Sequence, residues 1–269
     1  MLILLLLTLL VVVLLLFLAM IPDFSRREEL AVIRTNYAHR GLHGDGRPEN
    51  SRAAFAAAIA AGYGIELDIR LSADGVPVVF HDDTLDRVCG RPGRVSALTF
   101  DELRQVSLGA CGETVPSFAE VLELVAGQVP LLIEIKGEDS NTAICAAAAE
   151  LLDNYNGLFS VQSFNPLYLR WFNHNRPAYF RGLLYSNLFK EKNSQSFLNR
   201  CVLSAMLLNF LACPDFVAYC HTHPHELPLW ICRDLFRIPC LCWTVRSEAE
   251  ASRCVPEVSI IFEGFTPDR

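Results

Sequence analysis

Five residues draw attention before any secondary structure is assigned: Glu66, Asp68, Glu134, His39 and His81. Glu66 and Asp68 alternate with Ile65, Leu67 and Ile69, and side chains alternate across a strand, so both acids share one face and the aliphatic residues the other. Glu134 and Lys136 repeat the spacing of two. Acids on an inward face need a cation. Glu66, Asp68 and Glu134 form an oxygen-only ligand set, which suits one divalent cation, Mg2+ or Ca2+, better than zinc with its nitrogen and sulfur ligands. Spacing alone leaves a second reading open, a structural ion-pair network with Arg40, Arg70 or Lys136. His39 and His81 titrate near neutrality and suit a proton donor and acceptor in one reaction. Arg40 and Lys136 are donors for a phosphoryl oxygen whose charge grows in the transition state. A metal, two bases and two cations fit phosphodiester cleavage better than acyl transfer, and no Gly-x-Ser-x-Gly, nucleotide-binding glycine loop or His-Glu-x-x-His is present.

The elements that would position these groups alternate between strand-like and helix-like runs. Strands are expected at 37–40, 63–71, 131–136, 158–163, 179–185, 216–220, 239–245 and 258–263. Helices are expected at 51–61 and 117–126, each with a serine cap and a glycine stop. A ninth strand at 76–81 follows the second too closely for a parallel crossover and must return antiparallel. Pairing Leu71 with Val76 across the turn 72–75 sets His81 opposite Glu66. The fold class is therefore α/β, a (β/α)8 TIM barrel with a small hairpin insertion after strand 2. Active sites of such barrels lie at the C-terminal strand ends, where His39, Arg40, Glu134, Lys136 and Trp243 all fall.

Residues 1–21 are apolar apart from Thr8 and as a helix would span about 30 Å, the thickness of a bilayer core. A basic leader and a small-residue cleavage site are missing, which favours an uncleaved anchor over a signal peptide. The expected organisation is a transmembrane anchor at 1–22, a juxtamembrane linker at 23–36 and a barrel domain at 37–269. Arg26, Arg27 and Arg34 follow the apolar run, which predicts a single-pass protein of the cell membrane with a cytoplasmic catalytic domain. The formal charge of −7 argues against nucleic acid as partner. Ten cysteines lack any Cys-x-x-Cys pair and read as core thiols of a reducing compartment. The apolar stretch 197–213 reads either as a buried barrel helix or as a membrane-facing patch beside the anchor. His221, His223 and His225 lie just past the sixth strand, in a solvated loop, a substrate-lining loop or a second metal site.

The chain resembles the glycerophosphodiester phosphodiesterase family from about Tyr37 onward. The resemblance rests on His39-Arg40-Gly41, Pro48-Glu49-Asn50-Ser51, Glu66-Leu67-Asp68, Pro77-Val78-Val79-Phe80-His81-Asp82, Val115-Pro116-Ser117-Phe118, Glu134-Ile135-Lys136, Ser163-Phe164 and Trp243-Thr244-Val245, in that order. It implies a barrel in which Glu66, Asp68 and Glu134 bind a divalent metal, His39 and His81 act as general acid and base, and Arg40 and Lys136 hold the phosphate. It also implies that Glu49 and Asn50, after the first strand, order the site or touch metal or substrate. The implied reaction is hydrolysis of glycerophosphodiesters to an alcohol and glycerol 3-phosphate. Lysophospholipase D-type cleavage and a catalytically silent, membrane-anchored binding barrel are the alternatives. The partners implied are a small phosphodiester or lysolipid and the bilayer itself. One run departs from the family pattern: Val258-Ser259-Ile260-Ile261-Phe262-Glu263-Gly264-Phe265-Thr266-Pro267 replaces the usual Asp-Gly-Ile-Ile-Thr-Asp-x-Pro.

Overall fold

The computed structural model describes residues 1–23, 26, 29–30, 34–137, 140–192, 195–255 and 258–267. Eight parallel strands close on themselves: β1 (Tyr37–Ala38), β2 (Gly64–Leu71), β4 (Leu131–Ile135), β5 (Phe159–Ser163), β6 (Phe180–Tyr185), β7 (Phe216–Cys220), β8 (Cys240–Val245) and β9 (Ser259–Phe262). Pairing of β1 with both β2 and β9 completes the ring. The short strand β3 (Pro77–Val79) runs antiparallel along the upper part of β2, where β1 has already ended. This is the expected TIM barrel with its hairpin.

The alternation read from sequence sorts two cores. Ile65, Leu67, Ile69, Ile133 and Val161 face outward against the helices, while Tyr37, Leu132, Leu184, Phe216 and Ile261 fill the barrel. The helices in chain order are α1 (Leu2–Ala19), α2 (Arg52–Ala61), α3 (Asp86–Cys89), α4 (Phe100–Leu103), α5 (Phe118–Val125) and α6 (Ala143–Leu152). They continue with α7 (Pro166–Asn175), α8 (Phe197–Ser204), α9 (Asn209–Ala212), α10 (Leu227–Trp230) and α11 (Glu248–Ala251). Ser51 Oγ accepts from Ala54 N–H to start α2, and Gly62, left-handed at φ 72°, stops it. Ser117 and Glu120 form a capping box at the head of α5.

Two expectations fail. The hairpin register is shifted by one residue: Leu71 stands opposite Pro77 and Ile69 opposite Val79. Ser72 N–H donates to Val76 O at 3.0 Å and Gly75 N–H to Ser72 O at 3.1 Å, so Ser72 joins the ladder and only 73–75 form the loop. Gly75 takes φ 80°, the left-handed residue of a three-residue hairpin. Consequently His81 lies beyond the end of the ladder and is not opposite Glu66. The stretch 197–213 is also not one helix. The chain turns between α8 and α9 with Met206 left-handed at φ 54°, which buries Met206 and leaves Phe197, Leu198 and Phe210 exposed.

Helix α1 is long and apolar enough to cross a membrane and buries none of its residues. The residue after it is buried: Asn209 Nδ2–H donates to Met20 O at 2.9 Å, and Asp23 N–H donates to Pro214 O at 3.0 Å. Arg26 lies over the Phe180 ring at 4.0 Å, and Leu30 enters the barrel-filling core. The described part of 23–36 thus packs on the N-terminal end of the barrel. Arg27 and Glu28 lie outside the described residues.

Candidate active site

The cluster assembles at the C-terminal ends of the strands. The parallel register of β2 and β4 sets Asp68 beside Glu134, and Glu66 lies two residues below on the same face. Ligand oxygens of Glu66, Asp68 and Glu134 all lie within 4.8 Å of one another, and all three residues are buried. Lys136 Nζ stands 2.6 Å from Glu134 Oε1 and 3.0 Å from Asp68 Oδ1. Arg40 Nε lies 3.4 Å from Asp68 Oδ2, and Asn50 Nδ2–H donates to the same oxygen at 2.9 Å. Glu66 Oε2 accepts only the backbone N–H of Arg40, at 3.1 Å, and makes no ion pair among the described residues.

The loop after β1 delivers these partners through an unusual backbone. Arg40, Gly41 and Asn50 all have positive φ, at 54°, 80° and 55°. A Cβ on Gly41 would sit 2.9 Å from Ala54 and Phe55, so the His-Arg-Gly glycine is required both by conformation and by its approach to α2. Glu49 ties the loop down: it accepts Arg40 Nη1 at 2.6 Å and two nitrogens of Arg87 at 2.7 Å.

Each histidine rests on its own carboxylate. His39 Nδ1 lies 2.5 Å from Glu263 Oε2, and His81 Nδ1 lies 2.6 Å from Asp82 Oδ1. Arg87 Nε also donates to Asp82 at 2.7 Å, and Arg70 Nε–H donates to His81 O at 2.7 Å, which fixes the chain past the hairpin. His43 Nε2 reaches Glu263 at 3.5 Å, and Arg246 Nη2 holds its other oxygen at 2.7 Å. An ionised carboxylate only accepts, so Nδ1–H of each imidazole donates to it and Nε2 is left to exchange a proton.

Electrostatics separate the groups. Burial pushes the Glu66 carboxyl well above its usual range, and Asp68 and Glu134 push it further. Burial likewise raises Glu134 to about 7 despite Lys136. Asp68 goes the other way: burial opposes its charge, but Lys136, His81, Arg40 and His39 together hold it well below the usual carboxylate range. Burial lowers His81 to about 4 and lowers His39 as well, although Glu263 opposes the latter shift. Lys136 serves Glu134 and Asp68, Arg40 serves Asp68 and Glu49, and Glu66 is left without an ion pair among the described residues. A purely structural ion-pair network would pair every member; this one leaves Glu66, whose carboxyl is pushed upward, outside it. Asp68 Oδ1 is also buried without a hydrogen bond of acceptable geometry. The oxygen-only donor set, with Glu66 outside the ion pairs, fits a hard divalent cation.

Of the other residues singled out by sequence, Trp243 donates Nε1–H to Ala218 O at 2.8 Å and meets Phe164 edge-on at 5.7 Å. His221 lies 3.7 Å from Glu250, and His223 Nδ1 is 2.6 Å from Thr222 Oγ1. His221, His223 and His225 join no converging ligand group among the described residues. Sequence reasoning missed Asp82, Arg87, His43, Arg246 and above all Glu263. The signal for Glu263 was the departure of its run from the family pattern.

A closed (β/α)8 barrel with carboxylates, imidazoles and cations gathered at its mouth is the architecture of a barrel enzyme acting on an anionic substrate. The model of the Glycerophosphoryl diester phosphodiesterase family matches residues 39–257, and the chain belongs to that family. It is 34% identical over 160 residues to the glycerophosphodiester phosphodiesterase of Caldanaerobacter subterraneus subsp. tengcongensis, covering 55% of this chain and 65% of that one. It is 36% identical over 121 residues to human glycerophosphodiester phosphodiesterase 1, covering 41% of this chain and 35% of the relative. The matches thus take in less than two-thirds of each relative. A phosphodiesterase of Oleispira antarctica, solved in complex with the product sn-glycerol-3-phosphate, shares the fold at a TM-score of 0.72 and 24% identity over 87% of this chain and 94% of its own.

Proposed function

We propose that the chain is a metal-dependent phosphodiesterase that hydrolyses glycerophosphodiesters to an alcohol and glycerol 3-phosphate. The observation that carries this is the convergence of Glu66, Asp68 and Glu134, with Glu66 outside every ion pair among the described residues, beside two imidazoles each held by a carboxylate. Family membership and the glycerol 3-phosphate bound by the Oleispira neighbour support the same substrate class. The trio would hold one Mg2+ or Ca2+, which would supply positive charge against the phosphoryl oxygens.

The remaining steps belong to side chains of this chain. One imidazole takes the proton of the attacking hydroxyl, either water or a neighbouring glycerol hydroxyl, at Nε2. The other gives its Nε2 proton to the departing alkoxide. Glu263 and Asp82 hold His39 and His81 in the orientation this requires and stabilise each imidazolium as it forms. Arg40 and Lys136 donate to the non-bridging oxygens. Glu49 keeps Arg40 in place, Asn50 orients Asp68, and Trp243, its indole fixed to Ala218 O, would contact the substrate.

In the same reading α1 is a single-pass anchor of the cell membrane, with the barrel domain following the linker on the cytoplasmic side. A second reading, lysophospholipase D-type cleavage, is favoured by the exposed apolar side chains of α8 beside the mouth. The test is product analysis on deacylated and lyso phosphodiesters with Mg2+, Ca2+ or chelator. Glu66→Ala and Glu134→Ala should each remove activity while the circular dichroism of the barrel persists. Full turnover by either purified variant would sink the metal assignment.

A further inference from the structure

Apart from Met1 and α1, ten large apolar side chains are exposed among the described residues, and seven of them lie between Phe189 and Leu235. Phe189, Phe197, Leu198 and Leu227 sit toward the catalytic mouth, because β6 and β7 end there and α8 and α10 begin there. Phe210, Trp230 and Leu235 continue toward the opposite end. These seven are between 47% and 69% exposed, far more than a barrel helix needs to leave bare.

They form one flank. Lys190 Nζ joins Glu226 at 2.6 Å near the mouth, and Asn209 Nδ2 lies 3.5 Å from Cys232 Sγ near the base, so the α8–α9 and α10 segments are neighbours at both ends. The same flank receives the anchor: Phe17 packs edge-on against Phe236 at 4.9 Å, and Asn209 bonds Met20. Helix and barrel already touch at Phe17 and Met20. Residues 1–16 are exposed, Phe17 touches the flank and Met20 is already buried, so a bilayer entered by α1 meets the flank at once. Arg200, over the Phe189 ring at 5.3 Å, and the exposed Arg237 add cations among the apolar residues, the composition of an interfacial lipid surface.

We propose that this flank, from Phe189 at the mouth to Leu235 at the base, lies on the anionic bilayer into which α1 inserts. The proposal rests on the anchor reading of α1 but not on the enzymatic activity. It tips the barrel onto its side and brings the rim of the mouth to the depth of lipid head groups, where a single-chain glycerophospholipid can enter without leaving the membrane.

Trp230 is a native probe, one of three tryptophans in the chain. The full chain is reconstituted into phosphatidylcholine–phosphatidylglycerol vesicles with or without bromine on the upper acyl carbons, and floated after alkaline carbonate washing. Floated protein should lose about a third of its emission in brominated vesicles, the share of one tryptophan in three, and Trp230→Phe should abolish that loss. A triple variant, Phe197→Ser with Leu198→Ser and Leu227→Ser, should still float and should lose at least half of the quenching while turning over a water-soluble diester at the wild-type rate. Equal emission from floated protein in plain and brominated vesicles overturns the proposal, as does quenching that survives Trp230→Phe. Failure to float overturns the anchor and the flank together; quenching in a protein inert toward every diester leaves the flank standing and removes the proposed activity instead.

Discussion

Divalent-metal affinity should climb steeply with pH, because the cluster keeps protons that a metal must displace. Burial holds Glu134 at about 7 and Glu66 higher than its ordinary range, whereas a bound cation needs both as carboxylates. Between pH 6 and pH 8 the deprotonated fraction of a group titrating at 7 rises about ten-fold, equivalent to about 1.4 kcal/mol of binding free energy. The second proton, on Glu66, can bring the change toward a hundred-fold. Burial lowers His39 and His81, so both are already neutral at the upper end of this window and do not supply the slope. Titration calorimetry of the purified chain in two buffers of different ionisation enthalpy counts the protons released on binding Mg2+ or Ca2+. At least one should leave at pH 6, and fewer at pH 8. Glu134→Gln should bind more weakly and lose its share of the pH slope. An affinity that changes less than two-fold across the window, with no proton released, would refute the raised carboxyls of Glu66 and Glu134.

Two further outcomes follow, one at the carboxylate partner of His39 and one at the opposite end of the barrel. Glu263→Gln should lower kcat by about ten- to a hundred-fold with little change in KM, because its carboxylate orients His39 and stabilises the charged imidazole without touching substrate; an equal loss in KM alone would contradict a positioning role. Arg181, wholly buried, pairs with Asp215 at 3.3 Å and with Asp23 at 3.4 Å, so Arg181→Met should cost about 3–5 kcal/mol in urea unfolding by stranding Asp215 in an apolar surround that already raises its carboxyl.

The barrel was legible because its signals are local. Strand alternation, serine caps and glycine stops act within a few residues, and the hairpin was forced by the short distance from β2 to β3. The hairpin register was not, since a turn of composition Ser-Ala-Asp-Gly suits a four-residue or a three-residue loop. The choice rests on Ser72 pairing with Val76 while Gly75 turns left-handed. A slip of one residue exchanges the faces of a strand, so the placement of His81 failed with it. The break between α8 and α9 was hidden for a different reason. The stretch holds no glycine or proline, and it turns where Asn209 reaches Met20, 189 residues away in sequence.

The candidate site divides along the same line. Residues spaced by two on single strands, Glu66 with Asp68 and Glu134 with Lys136, announced themselves through alternation. Residues that act on the histidines did not, and the two cases differ. Asp82 is adjacent to His81 and was present in the quoted motif without a role. Glu263 is 224 residues from His39 and reaches it only because β9 closes the ring beside β1. Closure makes the first and last strands neighbours, so a site spanning β1 and β9 cannot be read from either strand alone. Burial, Arg246 and His43 then settle what Glu263 does. Burial opposes its charge, but His39, His43 and Arg246 outweigh that and hold it ionised well below the usual carboxylate range. A carboxylate that stays charged at every working pH keeps the Nδ1 proton on His39, and in the proposed reaction leaves Nε2 as the atom that would change state.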